Sequence, residues 1–259
     1  MVKKMITNFY CEPGNIKRDS LRIVGEEKKH IISVLRYKKG DSIDVVDGRG
    51  NVYKVEITDI EKDEINCKII QKKPGENEPK IHLSLAQSLC QGYKMDWLVE
   101  KATEIGASSV IPLLTERTII KLGDSKKEKA KMNRWRKIAI ASMKQSLGSF
   151  LPDIKPVTRL KKLLPEIKKY DLTLMGSLES DAKNIKNILQ LGKSPKRILA
   201  IVGPEAGFTD EELTQLKSEG AIPVSLGQRR LRTETAGIVL SSLVLYELGN
   251  WKKRVKSRK

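Results

Sequence analysis

"IVGPEAGFTDEEL", Ile201 to Leu213, decides the fold class. An apolar run ends in Gly203-Pro204, and a second glycine, Gly207, comes just before an acidic helix start. Thr209 followed by Glu212 is a capping box, in which each side chain accepts from the other residue's backbone amide. The stretch therefore reads strand, loop, helix. Glycine at 203 and 207 permits backbone angles and a closeness of approach that a side chain blocks. Taken alone, such a loop is an ordinary strand-to-helix turn. Neither G-x-G-x-x-G nor G-x-x-x-x-G-K-[ST] occurs, so there is no dinucleotide fingerprint and no P-loop.

Outward from this loop, strand and helix patterns alternate. "IHLSLAQ", "SSVIPLL", "DLTLMGS", "RILAIVG" and "AIPVSLG" read as short buried strands. "MDWLVEKATEIGA" places Met95, Leu98, Val99, Ala102 and Ile105 on one helix face, and "KEKAKMNRWRKIAIASMKQSL" spaces Met132, Trp135, Ile138 and Ala139 likewise. That alternation predicts a parallel sheet covered on both faces. In open sheets of this kind, ligands bind beyond the carboxyl ends of the strands. Three loops qualify: Leu174–Ser180, the opening stretch, and Ser225–Leu248. The third holds Arg229, Arg230 and Arg232 within four residues, then Thr233-Glu234-Thr235. Arginine forks suit phosphate, base edges or a carboxylate, and Glu234 is a candidate partner for Arg232. The plainer reading is a solvated turn with Thr233 or Thr235 capping the helix. That helix, with Ile238, Leu240, Leu243, Val244 and Leu245, is apolar nearly all round and belongs in an interior or at a subunit interface.

Toward the start of the chain the pattern changes. Residues 41–70 hold three short β-type runs, the first two split by the "DGRGN" turn, and "EEKKHIISVLRYKKGD" reads as a short helix ending near Gly40. Together they predict a small barrel-like domain over residues 1–72. "QKKPGENEPK", with two prolines and almost nothing apolar, reads as a linker, set at 73–80, before a larger domain over 81–259. The basic end "WKKRVKSRK" reads as a frayed or RNA-facing tail. Lys plus Arg is 50 against 32 Asp plus Glu, so 50 − 32 = +18, an excess that attracts a polyanion. Two histidines and three widely spaced cysteines predict no metal site and reduced thiols in a cytoplasmic protein. No apolar run approaches a membrane span, and the start lacks a secretory h-region.

"GPEAGFTDEE" followed by "LGQRRLRTETA" resembles the paired motifs of the ribosomal RNA small subunit methyltransferase E family. These are SPOUT-class enzymes that methylate N3 of a uridine in 16S rRNA. "HIISVLRYKKGDSIDVVDGRGNVYKVEI" resembles the family's N-terminal PUA-like barrel, and "KMDWLVEKATEIGASSVIPLLTERT" and "RWRKIAIASMKQS" its middle segments. Two positions depart from the family pattern: Ala206 replaces the first glycine of a Gly-Gly pair, and Gly148 stands where many members have arginine. The resemblance implies an α/β fold with a trefoil-knotted parallel sheet, helices on both faces and a small PUA-like β-barrel. It implies S-adenosylmethionine as cofactor, a homodimer, the small ribosomal subunit as partner, and neither metal nor membrane. Carried over by motif, Leu174, Met175, Gly176, Gly203, Pro204, Glu205, Leu226, Gly227, Leu231 and Arg232 hold the cofactor. Arg232, Glu234 and Arg230 carry catalysis, with Glu205 as a second candidate base. Arg36, Lys38, Lys39 and Arg49 are candidates for RNA backbone contact. The competing readings are a SPOUT methyltransferase of another RNA and a non-catalytic RNA-binding or ribosome-assembly protein on the same fold.

Overall fold

The computed structural model describes residues 8–120, 125–190 and 194–249. Residues 1–7 and the basic tail from Trp251 lie outside the described residues. The chain forms two compact units, one of residues up to Glu78 together with Ala139–Leu151, the other of Pro79–Ile138 together with the chain from Pro152 onward.

The first unit is built on β1 (Phe9–Tyr10), β2 (Ser20–Val24), α1 (Gly25–Lys29), β3 (Ser42–Val46), β4 (Asn51–Ile60) and β5 (Glu64–Pro74). They form one sheet in the order β1-β3-β4-β5-β2, antiparallel except where β1 pairs with β3. Tyr53, Val55 and Ile57 alternate inward along β4 while Lys54 and Glu56 face out, so the period-two pattern sets the buried side. Register shifts at Lys54/Val55 and Ile57/Asp59 bend the long β4–β5 ribbon. The helix expected to reach Gly40 stops earlier: α1 passes into a π-helical turn, His30–Val34, and Arg36 adopts φ 55. That left-handed angle ends a helix, and Asp41 then closes the turn by accepting from the Lys38 amide at 2.8 Å. β5 continues through Pro74, so the stretch read as a linker begins as strand. Residues Ala139–Leu151 cluster with this sheet. Glu78 Oε1 accepts from the Ser149 amide (2.6 Å), the Ser149 hydroxyl (2.9 Å) and the Phe150 amide (3.1 Å). Lys144 meets Glu27 at 2.6 Å.

The second unit runs β6 (His82–Ser88), α2 (Lys94–Glu104), β7 (Ser109–Leu114), α3 (Ser125–Gln145), β8 (Asp153–Ile154), β9 (Thr158–Arg159), α4 (Leu160–Leu163), β10 (Leu172–Gly176), β11 (Lys183–Asn184), α5 (Ile185–Leu189), β12 (Arg197–Val202), α6 (Asp210–Ser218), β13 (Ile222–Ser225) and α7 (Thr233–Leu248). α3 leaves this unit for the first at Ala139. Every ladder is parallel, in the order β11-β13-β10-β12-β6-β7-β8, with β9 also on β7. Ile198 to Val202 are all buried, as a central strand covered on both faces requires. Leu160, Leu163, Ile167 and Leu216 cover Leu113, Met175, Leu199 and Ile201. α7 packs on β6, β10, β12 and α2, with Leu240, Val244 and Leu245 fully buried. β13 lies on one side of β10 and β12 on the other, so the loops leaving all three emerge side by side.

Candidate active site

These three loops enclose a cleft of about 350 Å³ at the carboxyl ends of β10, β12 and β13, where parallel sheets present ligand sites. The stretch after β10 contributes Gly176–Glu179, the one after β12 Gly203–Phe208, and the one after β13 Leu226, Gly227 and Arg229–Leu231.

Each loop is held by hydrogen bonds that the local sequence supplies. The capping box is present: Thr209 Oγ1 accepts from the Glu212 amide at 3.2 Å, and Glu212 Oε2 accepts from the Thr209 amide at 3.0 Å. Buried Glu212 also accepts from the Glu116 amide at 2.9 Å through its other oxygen, tying this helix start to the loop after β7. From that same loop Arg117 Nη1 donates to the carbonyls of Ala206 (3.1 Å) and Phe208 (2.9 Å). Gly207 takes φ 72, the left-handed region that a side chain resists. Gly203 is glycine for a different reason: a Cβ there would sit 2.9 Å from the Phe208 ring. Arg230 Nη2 donates to the Glu205 carbonyl at 3.0 Å, joining the third loop to the second. At the start of α7, Thr233 Oγ1 accepts from Gln87 Nε2 at 2.9 Å and donates to the Gly203 carbonyl.

Two carboxylates share one cation beside this wall. Lys94 Nζ, in the first turn of α2, lies 3.6 Å from Glu234 and 3.8 Å from Glu205. Glu234 is buried and its Oε2 has no hydrogen-bond partner, whereas the Glu205 side chain is 40% exposed and lines the cleft. Burial, reinforced by the negative charges of Glu205 and Glu234, pushes the nearby Cys90 thiol up to about 12. That cysteine is therefore a neutral packing residue, not a nucleophile.

The expected residues divide on inspection. Gly176, Gly203, Pro204, Glu205, Leu226, Gly227, Arg230 and Leu231 all line the cleft. Leu174 and Met175 are fully buried in β10 and do not; Met175 packs in the core beneath. Arg232 is exposed at the N-cap of α7, off the lining, and Glu234 pairs with Lys94 instead of Arg232. Neither Thr233 nor Thr235 caps α7, because Thr233 turns its hydroxyl to Gly203. Arg36, Lys38, Lys39 and Arg49 are all exposed on the first unit, the first three in the turn before β3 and Arg49 between β3 and β4. Lys94, Arg117 and Gln87 carry roles that sequence reading missed. All three act across the sheet on residues about 90 or more positions away, and no local spacing signals that.

Residues 76–245 match the RNA methyltransferase domain family, and residues 23–70 the RNA methyltransferase PUA domain. The ribosomal RNA small subunit methyltransferase E of Bacillus subtilis is 33% identical over 232 residues, 87% of this chain and 89% of that protein. The protein of the same name from Aquifex aeolicus is 31% identical over 92% of this chain and 98% of its own length. The crystal structure of a ribosomal RNA small subunit methyltransferase E from Neisseria gonorrhoeae, bound to S-adenosyl methionine, superposes with a TM-score of 0.83 at 27% identity, covering 95% of this chain and 100% of that one. The chain thus belongs to the ribosomal RNA small subunit methyltransferase E family of RNA methyltransferases.

Proposed function

We propose that this protein transfers the methyl group of S-adenosylmethionine to N3 of a uridine in the 16S rRNA of the cytoplasmic small ribosomal subunit. The observation that carries this reading is the cleft at the carboxyl ends of β10, β12 and β13, with Glu205 and Arg230 on one wall. Its make-up fits a nucleoside-sized cofactor: Leu178, Leu226 and Leu231 offer apolar surface beside backbone left bare at Gly176, Gly203 and Gly227. When bound, the cofactor supplies a methyl group already activated on a sulfonium.

The work left to the chain is proton removal, charge stabilisation and alignment. N3 of uracil carries a proton that must leave as the nitrogen attacks. Glu205 is the cleft carboxylate suited to accept it. Glu234, buried behind, acts through Lys94, which steadies both carboxylates. Negative charge develops on the uracil oxygens, and the fixed cations of Arg229 and Arg230 oppose it without changing protonation. Arg232, exposed at the head of α7, meets the RNA substrate in this reading. A trefoil-knotted crossing and a homodimer resting on α7 complete the proposal. Tyr246, 66% exposed on that otherwise apolar helix, gives the second copy a surface to cover.

The test uses small subunits from a strain that lacks N3-uridine methylation, incubated with this protein and labelled S-adenosylmethionine, with the product mapped by mass spectrometry. N3-methyluridine at one 16S position is expected. Label on another base or another RNA class overturns the substrate assignment, and no label with intact cofactor binding overturns the reaction.

A further inference from the structure

Away from the cleft, the first unit holds a second concavity of about 510 Å³, and its lining differs in kind. Four cations, Lys17, Arg18, Arg49 and Lys72, form its rim, and all are exposed. Pro13 and Ile16 make an apolar wall. Asp47 is the one carboxylate in the lining, and it is already occupied. Buried at 4% exposure, it accepts from the Arg49 amide (2.7 Å), the Asn51 amide (3.1 Å), Asn51 Nδ2 (2.7 Å) and the Tyr53 hydroxyl (3.2 Å). Those four donors fix the turn between β3 and β4 as a rigid floor. The turn is also anchored from behind, because Arg49 bridges to Phe150 and the Gly50 amide donates to the Ser149 carbonyl at 2.9 Å. Lys72 stands over the Tyr53 ring, 5.5 Å from its centroid, which orients that ammonium without neutralising it.

Other cations of this unit are spoken for: Arg22 pairs with Glu64 at 3.2 Å and Lys144 with Glu27 at 2.6 Å. Among the described residues, none of the four rim cations has an ion pair. Four unneutralised charges around one concavity repel each other, and such an arrangement is relieved by an anion with several charges spaced along it.

We propose that this cradle is a second RNA-binding site. In it the rim of Lys17, Arg18, Arg49 and Lys72 holds consecutive phosphates of an unpaired RNA segment, and Pro13 and Ile16 receive the face of a base. The assignment rests on the RNA-methyltransferase reading for the nature of the polyanion, and on the cradle's geometry for its place. It separates Arg49 from Arg36, Lys38 and Lys39, which sit in an exposed turn outside this concavity. Unpaired RNA suits the site better than a duplex, because stacking on an apolar wall needs a base free of its partner.

The test is binding of a labelled, unstructured RNA oligonucleotide and of isolated small subunits to the full chain. It compares the wild type with the double variant Lys17→Glu/Arg18→Glu, with Lys72→Glu, and with Arg36→Glu/Lys38→Glu as a control on the neighbouring turn. Cradle variants are expected to bind both RNAs at least tenfold more weakly. Their slope of log affinity on log salt should flatten by about one for each phosphate no longer held. Melting temperature and S-adenosylmethionine affinity should match the wild type. The control should retain most of its affinity. Wild-type affinity in the cradle variants, a loss confined to the control, or no binding by the wild type each overturns the proposal. If the cradle variants lose RNA while wild-type protein transfers no methyl group to 16S rRNA, the cradle stands and the methyl-transfer reading falls. If methylation proceeds with unchanged KM in the cradle variants, the reverse holds.

Discussion

Replacing Lys94 with methionine keeps the stem of the side chain and removes its charge. The consequence can be worked from its two partners. At an effective dielectric near 20, unit charges about 4 Å apart interact by ~4 kcal/mol. The Glu205 side chain is 40% exposed, so solvent screens most of that pair. The Glu234 side chain is 9% exposed, with Lys94 at 3.6 Å as its ion partner. Stripping one member from a buried pair costs about 3–5 kcal/mol. Lys94 is itself 26% exposed and stands beyond hydrogen-bond distance, which lowers the expected loss. We expect Lys94→Met to destabilise the protein by about 2–3 kcal/mol, a fall in Tm of about 5–10 °C for a unit of this size. The control is a double-mutant cycle with Glu234→Gln. Removing both charges should return stability to within about 1 kcal/mol of the wild type, because the cost lies in the stranded carboxylate and not in the lysine. Thermal unfolding followed by near-ultraviolet circular dichroism reads all four proteins. If Lys94→Met melts with the wild type, or if Glu234→Gln fails to rescue it, the two carboxylates do not depend on this lysine.

Three further outcomes follow from the same geometry. Arg117→Ala removes the donor to the Ala206 and Phe208 carbonyls. Charge-assisted bonds contribute about 1.5–3 kcal/mol when buried and less at an exposed site, so S-adenosylmethionine should bind roughly tenfold more weakly, with Tm nearly unchanged; calorimetry showing equal Kd contradicts this. Gly237→Ala drives a methyl group into the Gln87 carboxamide oxygen, beneath the Gln87–Thr233 bond, and should destabilise by about 1–3 kcal/mol; a melt equal to the wild type shows that Gln87 can move aside. Burial pushes Cys11, Cys67 and Cys90 each up to about 12. All three thiols should stay protonated, and so resist a thiolate-seeking reagent at pH 8, until the protein is unfolded in denaturant; rapid labelling of the native protein at any of them shows that its site opens.

Much of this was readable beforehand because the signal was local. The runs that became β10, β12 and β13 are short, apolar and punctuated by glycine or a polar turn, and Thr209 with Glu212 announced its helix start. What stayed hidden depends on contacts between distant segments. β2 is a five-residue strand whose sequence, "SLRIV", gains its identity by pairing with β5. The two-residue strands β1, β8, β9 and β11 are too short to show any period. In the site, motif order found the loops, yet position in the loop did not reveal direction. Met175 points into the core and Arg232 stands outside the cleft, while Lys94 and Arg117 reach it from elements the motifs never touched.

The split make-up of the first unit bears on how the protein is born. A nascent chain leaves the ribosome amino end first, and β1 to β5 are complete once Glu78 emerges. Yet Glu78 must wait for Ser149, 71 residues later, before its carboxylate finds three donors, and Glu27 waits 117 residues for Lys144. Closing loops of that length carries an entropic cost that rises only slowly with length, so the delay is one of time more than of free energy. During translation the sheet therefore stands open along one side while β6, α2, β7 and most of α3 are still being made. A fragment ending at Glu78 would be arrested at that stage, with its final stabilising strip never delivered.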